Sequence, residues 1–243
     1  MTEDLKGGID LSHIKAVLWD FDGTLLDSND VIAESWRHTV MSFVGRDVSD
    51  EELRQTFGEM LIDSMRWLVP EVDPVEAVDF YREYQRGIFL DRIRLFDGTE
   101  EVLRVLNKAG YKNAIVTSRL ERSTFRALEK FGLTDFFDAI LTASDTDKFK
   151  PDPTPIYMIL DMIGCKPEES IFIGDTSNDI EAGKNAGIFT VLVGWSDALP
   201  VGKIRDEAPV PDVVIEKLTD IPVLLGLGVK KDCPGEQTEQ KGR

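Results

Sequence analysis

The stretch 15-KAVLWDFDGTLLDS-28 decides how the rest of the chain is read. Four apolar residues, Ala16 to Trp19, stop abruptly at Asp20, and Asp22 follows after one residue. A short apolar run with a β-branched member and a glycine-bearing turn behind it predicts a buried strand. Two carboxylates where such a strand runs out repel each other, and each raises the other's pKa. A cation must offset that repulsion.

Further runs of the same kind recur downstream: Ala114–Val116, Ala139–Leu141, Ile171–Ile173, Thr190–Val193 and Val213–Ile215. Between them lie segments with helical apolar spacing. Glu100–Lys108 follows Thr99, read as its N-cap, and Glu121–Phe131 ends at Gly132. Pro155–Ile163 ends at Gly164, and Asp179–Asn185 ends near Gly187. Strands alternating with helices predict βαβ units, hence a doubly wound parallel α/β sheet whose strands are apolar on both faces. From Asn29 to Arg94 the alternation fails. IAESWRHTVMSFV, DEELRQTFGEMLIDSMRWLV and VEAVDFYREYQRGIF all read as amphipathic helices. The expected organisation is a sheet-bearing core of residues 1–28 and 95–228, an inserted all-helical segment of 29–94, and a polar, disordered tail of 229–243.

Ligands of an open parallel sheet bind beyond the carboxyl ends of its strands. The residues that follow each run therefore matter: Asp20 after the first, Thr117 and Ser118 after 113-NAIV-116, Lys148 and Lys150 in 148-KFKPDP-153, Asp175 in 174-GDTSND-179. Singly, each has an ordinary structural reading: a turn, a helix cap, a loop lysine. Together they bring carboxylates, hydroxyls and a lysine to one sheet edge. Asp20, Asp22 and Asp175 form a set of hard oxygen ligands suited to Mg²⁺. The lysine, the hydroxyls and the N–H groups opening the helix after Ser118 suit phosphate oxygens.

Composition narrows the partners. The 243 residues carry a net charge of −17, which argues against nucleic acid and anionic membranes. An anionic substrate then needs a locally positive site. No apolar run approaches the roughly 18 residues of a membrane span, and MTEDLKGGID is too acidic and polar for a signal peptide. Cys165 and Cys233 are too far apart for a zinc spacing or a disulfide framework. A cytoplasmic enzyme is expected; oligomeric state is not legible.

The set DFDGTLLDS, IVTS, KPDP and GDTSND resembles, in order and spacing, the four motifs of the haloacid-dehalogenase-like hydrolase superfamily. The resemblance spans about Lys15 to Trp195; its first and last motifs are specific, its middle two weak. It implies a Rossmann-like core, and the helical insert resembles the small cap of the phosphoglycolate phosphatase, pyrophosphatase and phosphoglucomutase branch. Carried onto this chain, the resemblance makes Asp20 a nucleophile that becomes an aspartyl phosphate. Asp22 becomes general acid and then general base, and lends its backbone carbonyl to Mg²⁺. Thr117 and the Ser118 amide hold phosphoryl oxygens, and Lys150 neutralises the phosphate, with Lys148 a competitor. Asp175 ligates Mg²⁺ and Asp179 supports the site. Dehalogenase and phosphonate-cleaving members lack the second aspartate, because a halide leaves without a proton and a phosphate ester does not. A phosphatase is therefore expected.

The cap carries the substrate choice. Its basic residues are all arginine: Arg37, Arg46, Arg54, Arg66, Arg82, Arg86, Arg92 and Arg94. Arginine suits bidentate recognition of phosphate or carboxylate, although a solvated, ion-paired helix face uses it equally. Phe57–Leu61 resembles a substrate-specificity loop. The stretch 81-YREYQRGIFLDRIRLFDG-98 resembles the inorganic pyrophosphatases of the branch; phosphoglycolate phosphatase and phosphosugar mutase are alternatives. A signalling module that accepts a phosphoryl group without turnover is an alternative of another class.

Overall fold

The structure is a computed structural model that describes residues 9–57, 59–196 and 209–227. The expected tail with Cys233, and most of the N-terminal decapeptide, lie outside the described residues.

Six strands form one sheet: β1 (Ala16–Trp19), β4 (Lys112–Val116), β5 (Ala139–Leu141), β6 (Ser170–Gly174), β7 (Phe189–Val193) and β8 (Val213–Ile215). Their order is β5-β4-β1-β6-β7-β8, and every pairing is parallel. The order reverses at β1. The chain steps outward to β4 and β5, then crosses back to β6 on the other side. A crevice opens where such a reversal occurs, and Asp20 stands at its centre. Register puts Trp19 level with Ile115 and Ile173, so the residues after all three leave the sheet at one height.

Two apolar layers explain the uninterrupted strand hydrophobicity. Val17 and Trp19 face one cluster with Leu103, Leu106, Leu128 and Ile221, beneath α5 (Thr99–Ala109), α6 (Glu121–Phe131) and α9 (Asp220–Leu224). Leu18, Ala114, Val116 and Phe172 face the other, with Ile156, Ile159 and Ala182 from α7 (Thr154–Ile163) and α8 (Ser177–Ala186). α6 and α7 close at Gly132 and Gly164, as their sequences predict.

Between the short antiparallel strands β2 (Leu26–Asp27) and β3 (Arg94–Leu95) run four helices: α1 (Asn29–Val44), α2 (Asp50–Thr56), α3 (Leu61–Leu68) and α4 (Pro74–Arg92). Trp36, Val40, Met65, Leu68, Ala77 and Tyr81 give them an apolar cluster of their own. The C-terminal end of α4 departs from it: Phe89 and Ile93 pack into the main core.

Several details differ from the sequence reading. Residues 50–69 are two helices, because the chain turns extended at Phe57 and Met60. Arg94 lies in a strand, paired with Asp27, rather than in a helical segment. Thr99 is the first helical residue of α5, not its cap. Its hydroxyl donates to the carbonyls of Phe96 and Leu25, which ties α5 to the turn after β1, and Gly98 takes the cap position with φ +87°.

Candidate active site

Asp20 leaves β1 with its N–H donated to the Ile173 carbonyl, which locks the first turn of the crevice to β6. Its side chain is 9% exposed. Lys150, from the loop after β5, reaches back beneath it. The ammonium donates to Asp20 Oδ1 at 2.5 Å, to Asp179 Oδ1 at 2.6 Å and to the Val116 carbonyl at 3.2 Å. Lys148 lies outside this cluster, exposed, with Asp152 at 3.9 Å. Of the two lysines in 148-KFKPDP-153, only Lys150 belongs to the site.

Asp175 follows β6 and accepts from Ser196 Oγ at 2.6 Å. Asp179, one turn into α8, accepts through Oδ2 from the Thr176 N–H at 2.9 Å and the Thr176 hydroxyl at 2.7 Å. Thr176 accepts in return from the Asp179 N–H, completing a capping box. Asp179 thus caps α8 with one oxygen and binds Lys150 with the other. Two glycines admit this crowding. Gly23 has φ +78°, and a Cβ there would lie 2.1 Å from Asp175 Oδ2. A Cβ on Gly174 would lie 2.4 Å from that of Asp179.

Carboxylate oxygens of Asp20, Asp175 and Asp179 lie within 4.8 Å of one another, and all three residues are buried. The carboxylate cluster is therefore not the expected Asp20, Asp22 and Asp175; Asp179 takes the place of Asp22. Burial raises the pKa of Asp20 to about 7, with Asp179 and Asp22 adding to the rise and Lys150 opposing it. Burial likewise holds Asp175 well above the ordinary carboxylate range, and the charges of Asp20 and Asp179 push the same way. Burial pulls Lys150 down, but the Asp179 and Asp20 charges outweigh it and keep the ammonium protonated. One lysine against three buried carboxylates leaves the site short of positive charge. An oxygen-only donor set with that deficit fits a hard divalent cation.

The Asp22 side chain turns away from the cluster. Arg119 donates to it through Nε and Nη2, both at 2.8 Å, and Ser28 Oγ donates to Oδ1 at 2.5 Å. A turn residue is not bound by strand alternation, so the DxD spacing did not aim both carboxylates the same way. Thr117 is buried, and its hydroxyl accepts the Arg119 N–H at 3.1 Å; Ser118 beside it is exposed. Neither caps α6, which begins after Leu120.

These groups floor a cavity of about 320 Å³. Its roof comes from the insert: Trp36, Phe57, Glu59, Leu61, Tyr81, Arg82, Arg86 and Phe89. Phe57, Glu59 and Leu61 come from the stretch read as a specificity loop. Of the eight arginines read as candidates, Arg82 and Arg86 line the cavity. Arg37, Arg46, Arg54, Arg66 and Arg92 are paired with carboxylates, and Arg94 lies away from the cavity. The sequence reading missed Arg119, Arg122 and Arg126, which the core contributes to the same cavity. The only signal for them was position, after the Thr-Ser pair that follows β4 and in the first turns of α6.

Residues 17–193 match the family model described as haloacid dehalogenase-like hydrolase. The chain belongs to that family. A pyrophosphatase, PpaX, of Halalkalibacterium halodurans is 34% identical over 219 residues, 88% of this chain and 98% of the relative. PpaX of Bacillus cereus is 32% identical over 213 residues, 87% and 97% of the two chains. Among solved structures, a predicted phosphoglycolate phosphatase from Haemophilus somnus superimposes with a TM-score of 0.69 at 25% identity, covering 86% of this chain and 96% of that one. A haloacid dehalogenase-like family protein from Streptococcus pneumoniae shares the fold, with a TM-score of 0.75 at 23% identity and coverage of 86% and 97%. This family member is a phosphatase with a divalent-metal site in its acidic cluster. Among the described residues, no helix is long and apolar enough to cross a membrane.

Proposed function

We propose that this chain is a cytoplasmic Mg²⁺-dependent phosphohydrolase that works through an aspartyl phosphate on Asp20. The observation that carries this reading is the buried array Asp20–Lys150–Asp179 with Asp175 beside it. Oδ1 of Asp20 is tied to Lys150, while Oδ2 receives no hydrogen bond from the described residues. That leaves one oxygen aligned by its partner and free to attack phosphorus. Asp20, Asp175 and the backbone carbonyl of Asp22 would hold Mg²⁺, with Asp179 supporting through Lys150. When bound, the ion cancels charge between nucleophile and phosphoryl group.

In the first displacement Asp20 Oδ2 bonds to phosphorus, and the leaving oxygen departs with a proton from Asp22. In the second, Asp22 takes a proton from water, which attacks the same phosphorus and returns Asp20 as carboxylate and phosphate as product. Lys150, Thr117 and the Ser118 N–H stabilise the equatorial oxygens in both steps. The core of 1–28 and 95–228 would carry this chemistry, and residues 29–94 would close over it and exclude water.

Inorganic pyrophosphate is the favoured substrate, from the likeness to PpaX and from four cavity arginines without a carboxylate partner among the described residues: Arg82, Arg86, Arg122 and Arg126. Phosphoglycolate, whose second group is a carboxylate, is the alternative. The test is single-turnover kinetics of Asp22→Asn on an alkyl phosphate and an activated aryl phosphate. General acid catalysis gives about 100-fold in the first step for the alkyl ester and less for the aryl one. Equal first-step losses would remove Asp22 from the acid role. Turnover by Asp20→Asn would remove the phosphoenzyme altogether.

A further inference from the structure

Asp22, assigned to proton transfer, is not free to perform it here. Both of its oxygens are taken by the Arg119 fork, and one also accepts from Ser28. A bidentate guanidinium pair is among the strongest polar contacts a carboxylate makes. Arg119 is itself held by the protein: its side chain is 7% exposed, and its guanidinium lies 4.2 Å from the ring centroid of Phe89 on α4. Its backbone N–H reaches Thr117 Oγ1, and its carbonyl accepts from Ala143 at 3.0 Å. The residue is therefore fixed to the phosphate-holding strand end below and to the helical insert above. Yet it lines the cavity, and the fork uses only part of its donor set. Its remaining N–H groups have no hydrogen-bond partner among the described residues.

We propose that Arg119 is a positioning residue for which Asp22 and the substrate compete. The group left behind after phosphoryl transfer, when anionic, takes the guanidinium, and Asp22 is released towards the leaving oxygen. A substrate bearing a second anionic group therefore engages the acid–base function more fully than one without it. This rests on the acid–base reading of Asp22, but its test does not require turnover.

The probes are methylenediphosphonate, which carries a second phosphonate and cannot be hydrolysed, and methylphosphonate, which lacks it. Both are titrated calorimetrically into the Mg²⁺-loaded protein. Arg119→Ala should weaken methylenediphosphonate about 10- to 100-fold, the range of charge-assisted hydrogen bonds, and leave methylphosphonate within about twofold. Arg119→Lys, which keeps the charge without the fork, should recover part of that loss and guards against a variant that fails to fold. Asp22→Asn should tighten methylenediphosphonate several-fold by freeing Arg119, and that gain should vanish in the Arg119→Ala background. Equal weakening of both probes by Arg119→Ala would mean a structural role only. A gain from Asp22→Asn that persists without Arg119 would mean plain charge repulsion. Either result overturns the competition. The acid–base assignment fails separately, if Asp22→Asn turns over phosphoglycolate, an alkyl phosphate with a second anionic group, at the unmutated rate.

Discussion

Lys150 and Arg66 are both cations in hydrogen-bonding contact with carboxylates, in two different settings. Lys150 is 6% exposed and sits between Asp20 and Asp179 at the carboxyl edge of the sheet. Arg66 is 60% exposed beside Asp63, three residues away on α3 of the helical insert. The same contrast holds across the two regions. The sheet edge gathers charge from β1, β6, the loop after β5 and α8, and buries it. The insert pairs most of its arginines with carboxylates near its surface: Arg37 with Asp50, Arg46 with Glu52, Arg54 with Glu51. Attraction in water is offset by screening and by the entropy of holding two long side chains. Attraction out of water is large, but it must first overcome desolvation, so removing one partner leaves an uncompensated charge.

The largest expected effect follows from that asymmetry. Lys150→Met should lower kcat about 100- to 1,000-fold, as loss of a phosphoryl-stabilising group does. It should also destabilise the fold by about 3–5 kcal/mol, because Asp20 and Asp179 are left buried without their partner. Arg66→Met should change stability by at most about 1 kcal/mol and leave kcat alone. Urea melts and steady-state kinetics on the two variants compare the regions directly. Comparable losses from both would erase the distinction.

A smaller effect separates arginines within the insert. Arg82 and Arg86 line the cavity with no carboxylate partner among the described residues, whereas Arg54 and Arg66 are paired and lie away from it. Arg82→Ala and Arg86→Ala should each raise KM for pyrophosphate about 3- to 10-fold. That is less than a buried charge-assisted contact would give, because Arg86 is exposed and Arg82 half-buried. Arg122→Ala and Arg126→Ala, from the opposite wall, should do the same, and Arg54→Ala should not. KM shifts that fail to follow cavity lining would show that the insert only excludes water.

The same contrast explains what the sequence disclosed. Buried strands need continuous apolar runs, so β1, β5 and β8 could be placed to the residue, and a polar group after such a run has few structural reasons to be there. Asp20 and Asp175 were legible on that ground, whereas Lys150 was favoured over Lys148 only by the Lys-Pro pair of the resembling motif. Arg119 was not, because its partner Asp22 is 97 positions away and no local pattern encodes the pairing. Asp179 was half-legible: its spacing from Thr176 announces a cap, but its second oxygen on Lys150 depends on how α8 meets the loop after β5. In the insert, arginine content predicted recognition, yet an arginine on a helix has the same sequence whether it faces a carboxylate or a cavity. Arg37 and Arg82 became distinguishable only when the helices were packed.

The smallest effect lies in the insert's best-built ion pair and turns on pH. Glu52 accepts from Arg46 Nη1 and Nη2 at 2.9 and 2.7 Å and from the Ser49 N–H at 2.9 Å, while Ser49 Oγ accepts the Glu52 N–H. These donors, Arg46 first, lower its pKa from an ordinary 4.5 to about 2. A carboxylate whose folded pKa is depressed contributes its stabilisation in full above the unfolded value. That contribution fades as pH falls from about 4.5 towards 2, where the folded state also takes up the proton. Glu52→Gln should therefore be less stable at pH 7, by about 1 kcal/mol or less because Arg46 and part of Glu52 are in water. The difference should shrink through that acid window while kcat at pH 7 stays unchanged. Thermal melts of both proteins between pH 7 and 3 measure it. A deficit that does not change with pH would mean that Glu52 acts through its cap geometry on α2, which an amide only partly reproduces, and not through its charge.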